Sequence, residues 1–124
     1  QTNTFSYVVS DPTSSACAVI DSVMDFDYAA GRIRYDGADR IIRHIEGAGL
    51  EVAWLIETHV HADHLSAAPY IQKRTGGLLG IGENIMAVQE TFGKIFNCHG
   101  SGLFPVGSGN GISPDSQLCC RQIR

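Results

Sequence analysis

Residues 52–64 read VAWLIETHVHADH, and this stretch decides which fold the chain adopts. It opens with five apolar residues, 52–56, which predict a buried β-strand because both faces of the strand are apolar. The pattern HxHxDH, residues 59–64, follows closely and places three imidazoles and a carboxylate in one short loop. Imidazole nitrogen and carboxylate oxygen are common ligands of zinc and iron. The stretch therefore predicts a metal site at the carboxyl end of a buried strand.

The spacing within the motif divides its four side chains into two pairs. Alternate residues of an extended chain point the same way, so His59 and His61 can converge on one ion. Asp63 and His64 are adjacent, so their side chains diverge, either toward a second metal position or as a pair that supports the first. A catalytic metal needs about three protein ligands and an open position, so further ligands must come from elsewhere. The alternative is a plain surface loop in which Asp63 caps the following helix.

Apolar periodicity on either side of the motif predicts an α/β layered domain. Strands are expected near residues 5–9, 16–20, 52–56 and 78–81, and helices near residues 37–48, 66–74 and 84–96. The first two strands are expected to form a hairpin. No strand or helix is predicted for the polar stretch 25–34, in which Gly31 acts as a breaker.

Three further side chains are expected around the metal loop. Ligands of open α/β sheets bind outside the carboxyl ends of strands, and both Asp21 and His59 follow predicted strands. Asp21 is therefore predicted to support the site, with a simple turn residue as the alternative. Glu57 and Thr58 are expected to shape the loop rather than to react. His44 is expected to be solvated on the polar face of a helix.

The composition limits the partners and the location of the protein. A chain of 124 residues suits one domain, and nine basic against thirteen acidic residues give a formal net charge of −4. Neither nucleic acid nor an acidic membrane is expected as a partner, because both require a basic patch. No signal peptide and no apolar run of the ~20 residues that span a bilayer is visible. These features predict a cytoplasmic protein with reduced thiols.

The character of the sequence changes after Asn97. Residues 98–124 include five Gly, four Ser and two Pro and sustain no helical or strand period. They are predicted to form an irregular tail, separate from a domain that spans residues 1–97. Cys98 and His99 lie in this tail and are both considered as extra metal ligands.

The segment ETHVHADHLSAAPY, residues 57–70, resembles the signature of the metallo-β-lactamase-fold superfamily. Three wider segments, AVIDSVMDFD, WLIETHVHADHLSA and GIGENIMAVQETFGKIFN, resemble its persulfide dioxygenase branch, which is also called β-lactamase-like or glyoxalase-II-like. The resemblance extends from Tyr7 to about Asn97. It implies an αββα sandwich, of which this chain would form the first half, a mixed sheet with flanking helices.

The resemblance also implies metal chemistry. The persulfide dioxygenase branch holds one non-haem iron through two histidines and one aspartate and uses glutathione persulfide and O₂, and His59 matches the first of those ligands. His61, Asp63 and His64 match the remaining motif positions; all four can bind metal in the dinuclear zinc hydrolases, whereas in the iron branch the last three support it. Fe(II) or Zn(II) is the implied cofactor, and Asp63 is also assigned as the catalytic residue. Asp21 matches the aspartate that supports the loop.

The sequence departs from the family in its later ligands. Members continue further and carry a His in a Gly-His-Thr-Pro context and an Asp in a Gly-Asp-Thr context, and neither occurs here. We therefore expect a truncated first half with an unrelated ending. Its uncovered sheet face predicts a homo-oligomer.

Three functions remain open from the sequence. The first is a persulfide dioxygenase-like protein with little activity of its own. The second is a zinc or iron hydrolase of thioesters or lactones, whose ligands are completed by the tail or by a second subunit. The third is a non-catalytic assembly module in which the metal loop is vestigial.

Overall fold

Residues 4–61, 64–95 and 120–123 are described by the computed structural model, and strands and helices alternate along most of them. In chain order the elements are β1 Tyr7–Ser10, β2 Ala16–Ile20, β3 Val23–Asp27, β4 Arg32–Arg34, α1 Asp36–Gly47, β5 Glu51–Glu57, β6 Leu65–Ser66, α2 Ala68–Thr75, β7 Leu78–Gly82, α3 Ile85–Ile95 and β8 Cys120–Ile123. No helix among these residues is both long enough and apolar enough to cross a membrane.

The described strands form two sheets. A five-stranded sheet has the order β1-β2-β5-β7-β8, in which β1 and β2 are antiparallel and the other neighbours are parallel. A three-stranded antiparallel sheet has the order β4-β3-β6. The predicted α/β class, with a mixed sheet and flanking helices, is confirmed.

Helices α1 and α2 pack against one face of the five-stranded sheet. The buried core on this face consists of Cys17, Val19, Ala38, Ile42, Ile45, Val52, Leu55, Ala67, Ala68, Ile71 and Leu79. Burying one aliphatic side chain stabilises a fold by about 1.5–3 kcal/mol, so this layer fixes the helices on the sheet. Cys17 is a free thiol within that core, as predicted for a reduced cysteine.

A β-bulge at Ala53 sets which side chains of β5 face the helices. The pairing with β2 shifts there, from Cys17 opposite Val52 to Ala18 opposite Trp54. The extra residue places both Val52 and Leu55 on the helix-covered face, where they are buried. The prediction that both faces of this strand are buried is wrong, because Trp54 and Ile56 on the other face are only half-buried.

The second face of the sheet is apolar along several strands. Residues paired across strands share a face. The cross-strand pairs therefore identify the residues on the face of the sheet away from α1 and α2. This face is here called the outer face, and its residues are Tyr7, Val9, Ala18, Ile20, Trp54, Ile56 and Leu78. Tyr7 is 55% exposed and Val9 is 54% exposed.

Four strands, β3, β4, β6 and β8, lie where the sequence predicts none. β3 and β4 form a hairpin within the stretch expected to be irregular; the Asp27 carboxylate accepts the Ala29 and Ala30 N–H groups in its turn, and Gly31 has a φ of 60°. β8 corrects the prediction of a wholly irregular tail, since it pairs with β7. The helix predicted to begin near residue 66 begins at Ala68, because Leu65 and Ser66 form the short strand β6 and pair with β3.

Candidate metal centre

The centre is built where two neighbouring parallel strands end. β2 and β5 run side by side, so their carboxyl ends meet at one edge of the sheet. Asp21 follows β2, and its N–H donates to the Ile56 carbonyl at 2.9 Å, which joins it to β5. Asp21 has a φ of 49° and is the one non-glycine residue with a positive φ in the described part of the chain. Such strained backbone is held by its surroundings and clusters at functional sites.

Hydrogen bonds connect Asp21 to His59 through Thr58. The Thr58 N–H donates to Asp21 Oδ1 at 2.8 Å, and the Thr58 hydroxyl donates to Asp21 Oδ2 at 2.6 Å. The hydroxyl has one proton and gives it to the carboxylate, so at the 2.7 Å contact with His59 Nδ1 its oxygen accepts. The proton of neutral His59 therefore lies on Nδ1, and its Nε2 keeps the lone pair that a metal requires.

The ring of His61 lies between two carboxylates. Its Nε2–H donates to Asp21 Oδ1 at 3.2 Å, and the same nitrogen lies 3.1 Å from Glu57 Oε2. Of these two contacts, only the one with Asp21 is aligned as a hydrogen bond. With the proton on Nε2, neutral His61 keeps its lone pair on Nδ1.

Glu57 is a buried carboxylate with few partners. It is 7% exposed, because its side chain lies on the helix-covered side of β5, in phase with Leu55. Ser66 donates its hydroxyl proton to Oε1. The sequence predicted that Glu57 shapes the loop and missed this burial, although an acid in phase with the apolar positions of a strand was the available signal.

The two carboxylates respond in opposite ways to their surroundings. Burial acts to raise the pKa of Asp21, but hydrogen bonds from Thr58 and His61 outweigh it and hold the pKa below the usual range. Burial raises the pKa of Glu57, and Ser66 and His61 offset only part of the effect. Asp21 is therefore the more firmly ionised of the two beside His61.

Asp21, His59 and His61 form the group of side chains that fits a metal ion. One ligand atom from each lies within 4.8 Å of the others. Two imidazole nitrogens and a carboxylate oxygen match what zinc and iron accept. Asp21 already accepts three hydrogen bonds, and its predicted role of supporting the site rather than binding the metal stays a prediction.

The remaining predicted site residues are placed only in part. His64 is half-buried, and its ring centroid lies 4.1 Å from that of His61, so it adjoins the group. Asp63 and His99 lie outside the described residues, and their roles stay predictions. His44 is exposed on α1, as expected.

A cleft of about 290 Å³ opens beside His59. Its walls come from the metal loop, the end of β7 and the start of α3, and include Thr58, Val60, Ile81 and Val88. The walls are mainly apolar, as is typical of small-molecule sites. A larger cavity of about 540 Å³ lies elsewhere, between the N-terminal segment and α1.

Sequence comparison supports the superfamily that this centre suggests. The profile described as the Metallo-beta-lactamase superfamily matches residues 1–102, and the chain belongs to this superfamily. A probable metallo-hydrolase from Burkholderia pseudomallei (strain 1710b) is 52% identical over 96 residues, which are 77% of this chain and 33% of that protein. A beta-lactamase hydrolase-like protein from Xylella fastidiosa (strain 9a5c) is 42% identical over 115 residues, which are 93% of this chain and 25% of that protein.

Structural comparison shows that a solved structure has the same fold. ETHE1 from Myxococcus xanthus shares the fold, with a TM-score of 0.52 and 24% identity over 64% of this chain and 30% of that chain. The chain thus spans a quarter to a third of the length of these similar proteins. The likeness to the Xylella protein covers more of the chain than residues 7–97, where the resemblance was predicted to lie.

Proposed function

We propose that the chain is the metal-binding part of an enzyme for small thiol-derived substrates, with O₂-dependent oxidation of glutathione persulfide to sulfite as its leading reaction. The observation that carries the metal site is the order of hydrogen bonds from Asp21 through Thr58 to His59. That order supports a lone pair on His59 Nε2 before any metal arrives.

Each group in the centre has a separate task in this proposal. His59 and His61 would hold the ion, and Asp21 orients both of them, His59 through Thr58 and His61 directly. When bound, iron would supply redox chemistry with O₂, and zinc would supply Lewis-acid chemistry. The apolar cleft beside His59 is the place proposed for the substrate, where it would exclude water from the sulfur.

The choice of the persulfide reaction rests on the resemblance of three segments to that branch, within residues 18–27, 54–67 and 80–97. The two later ligand contexts of the branch are not in this sequence. We therefore propose weak activity for the 124-residue chain by itself, because each missing ligand lowers metal affinity.

Hydrolysis of a thioester or lactone is the second candidate function. The names of similar proteins favour it: a probable metallo-hydrolase, a beta-lactamase hydrolase-like protein, and Glyoxylase B2 from Dictyostelium discoideum, which is 38% identical over 73% of this chain and 31% of that protein. Release of sulfite with consumption of O₂ would indicate the first function. Thioester cleavage that proceeds without O₂ would indicate the second.

The test of the metal site is metal content per chain, measured by elemental analysis on a single size-exclusion peak. The 124-residue chain, loaded with iron or zinc, is expected to retain metal, and His59→Ala is expected to lose it. His44→Ala is the matched control, since that imidazole is exposed on α1. Metal retained at the native level by His59→Ala would contradict the proposal. No retention by the folded native chain would favour the third function, a non-catalytic assembly module.

We also propose that the chain forms a homo-oligomer through the outer face. Aromatic and aliphatic side chains line this face over four neighbouring strands, and Tyr7 and Val9 expose more than half of their surface. Contiguous apolar surface of this kind marks interaction sites. A second copy of the chain presents the same face, so two copies can cover each other.

A further inference from the structure

We propose that Glu57 is a positioning residue that holds and polarises the His61 ring through a buried negative charge. The inference rests on the proposed metal site and adds a residue that lies outside the HxHxDH pattern. Glu57 is the last residue of β5, four positions before His61. Glu57 does not line the cleft beside His59, so its effect on the site would act through His61.

The first support is the direction in which the carboxylate faces. Glu57 Oε2 lies 3.1 Å from His61 Nε2, and both side chains are more than nine-tenths buried. This oxygen has no aligned hydrogen bond, although its partner oxygen accepts from Ser66. A buried carboxylate oxygen without a hydrogen bond is unfavourable, and such an atom in a native protein requires an explanation.

The second support is the way in which Glu57 is held. The Ser66 hydroxyl donates to the Glu57 carboxylate. The hydroxyl oxygen of Ser66 in turn accepts the Ala68 N–H at 3.0 Å. Ser66 thus ties Glu57 to the first turn of α2, and the Ala67 N–H fixes the same segment on the Ser22 carbonyl at 2.8 Å. Rigid packing therefore fixes the charge of Glu57 at one place relative to the His61 ring.

The chemical consequence follows from the nitrogen that Glu57 faces. If His61 held a metal through Nδ1, the nitrogen that keeps its lone pair, its Nε2–H would become more positive. A fixed negative charge 3.1 Å from Nε2 stabilises that metal-bound ring more than the free ring. Asp21, which follows β2, supplies the aligned hydrogen bond to His61. Glu57, at the end of the neighbouring strand β5, supplies additional negative charge.

The test compares Glu57→Gln with Glu51→Gln in the 124-residue chain. Glutamine keeps the shape of Glu57 but removes its charge and replaces one acceptor oxygen by an NH₂ donor. Glu51 is an exposed acid at the other end of the same strand. Zinc affinity is measured by competition with a chromophoric chelator. We expect Glu57→Gln to weaken zinc binding by about 10–100-fold, the usual effect of losing a group that orients a ligand, and Glu51→Gln to leave it unchanged. Equal zinc affinity in Glu57→Gln and the native chain would overturn the proposal.

A second readout separates this proposal from the proposed function. The ring ¹⁵N shifts of the histidines in the metal-free chain report on the His61 ring directly. We expect Glu57→Gln to change the shifts of His61 and to leave those of His44 unchanged. If the native chain binds zinc no better than His59→Ala, the metal site fails, yet the His61 shifts still decide the role of Glu57. Unchanged His61 shifts would refute it.

Ser66→Ala provides an independent variant if Glu57→Gln does not fold. It keeps the carboxylate and removes the hydroxyl that holds it. Zinc binding is expected to weaken by about tenfold, because the charge is no longer fixed beside the ring. Native zinc affinity together with native His61 shifts in this variant would count against the proposal.

Discussion

At the scale of single residues, the centre depends on where protons lie. Thr58 has one hydroxyl proton and two neighbours, Asp21 and His59, that compete for it. The carboxylate can only accept, so the imidazole must donate. One threonine thereby selects the tautomer of a metal ligand, which is a common task of the groups behind metal-binding histidines.

Thr58→Val tests this selection. Valine has nearly the shape of threonine but no hydroxyl, so His59 Nδ1 loses its acceptor and the tautomer is no longer fixed. We expect zinc affinity to fall by about 10–100-fold, measured by chelator competition. Thr58→Ser keeps the hydroxyl and should bind zinc like the native chain. Native affinity in the valine variant would show that the hydroxyl does not prepare the ligand.

At the scale of elements, the turn from α2 to β7 depends on a glycine. Gly77 has a φ of 91°, and a Cβ added there would lie 2.8 Å from the Val52 carbonyl oxygen and 2.9 Å from Val52 Cγ1. The backbone of β7 can approach β5 this closely only because Gly77 has no side chain. The approach brings Leu78 opposite Trp54 and so sets the register of the two strands.

Gly77→Ala is expected to destabilise the chain by about 1–3 kcal/mol, because it combines an unfavourable φ with a backbone clash. Urea unfolding followed by circular dichroism measures the change. Gly47→Ala is the matched control: Gly47 lies in α1 with open space around its Cα, so alanine should raise the free energy of unfolding by up to about 1 kcal/mol. Equal stability of the two variants would contradict this account of the turn.

At the scale of the whole molecule, the outer face distinguishes the two sides of the sheet. Helices α1 and α2 bury one side, whereas Tyr7 and Val9 on the other side expose more than half of their surface. We therefore propose that copies of the chain associate through the outer face. β1 lies at the edge of the sheet, where Val9 is accessible to a partner.

Val9→Lys tests that association. A lysine on the outer face would have to bury its charge in the contact, so we expect the chain to shift toward a monomer. Size-exclusion chromatography with light scattering measures the mass. Tyr28→Lys is the control, because Tyr28 is 78% exposed but belongs to the β3–β4 turn rather than to the outer face. A native chain that is already a monodisperse monomer would refute the proposal.

Local patterns in the sequence were sufficient for the main elements and for the metal motif. The helical period identified α1, and the apolar run identified β5, because each pattern reflects burial of a single element. The short strands β4 and β6 have too few residues to show a period. β8 was missed because its residues show no pattern of their own and pair with β7 from far along the chain.

The sequence by itself determined the superfamily and which imidazoles lie together, since HxHxDH brings its ligands into one loop. Only the tertiary structure decided what surrounds them. Asp21 adopts a strained φ of 49° because β2 and β5 end side by side, and Glu57 is buried against Ser66 because α2 packs on β5. These contacts join residues that are 9 to 40 positions apart, so no local spacing encodes them. The packing of strands and helices, rather than the motif, places the charges around the histidines.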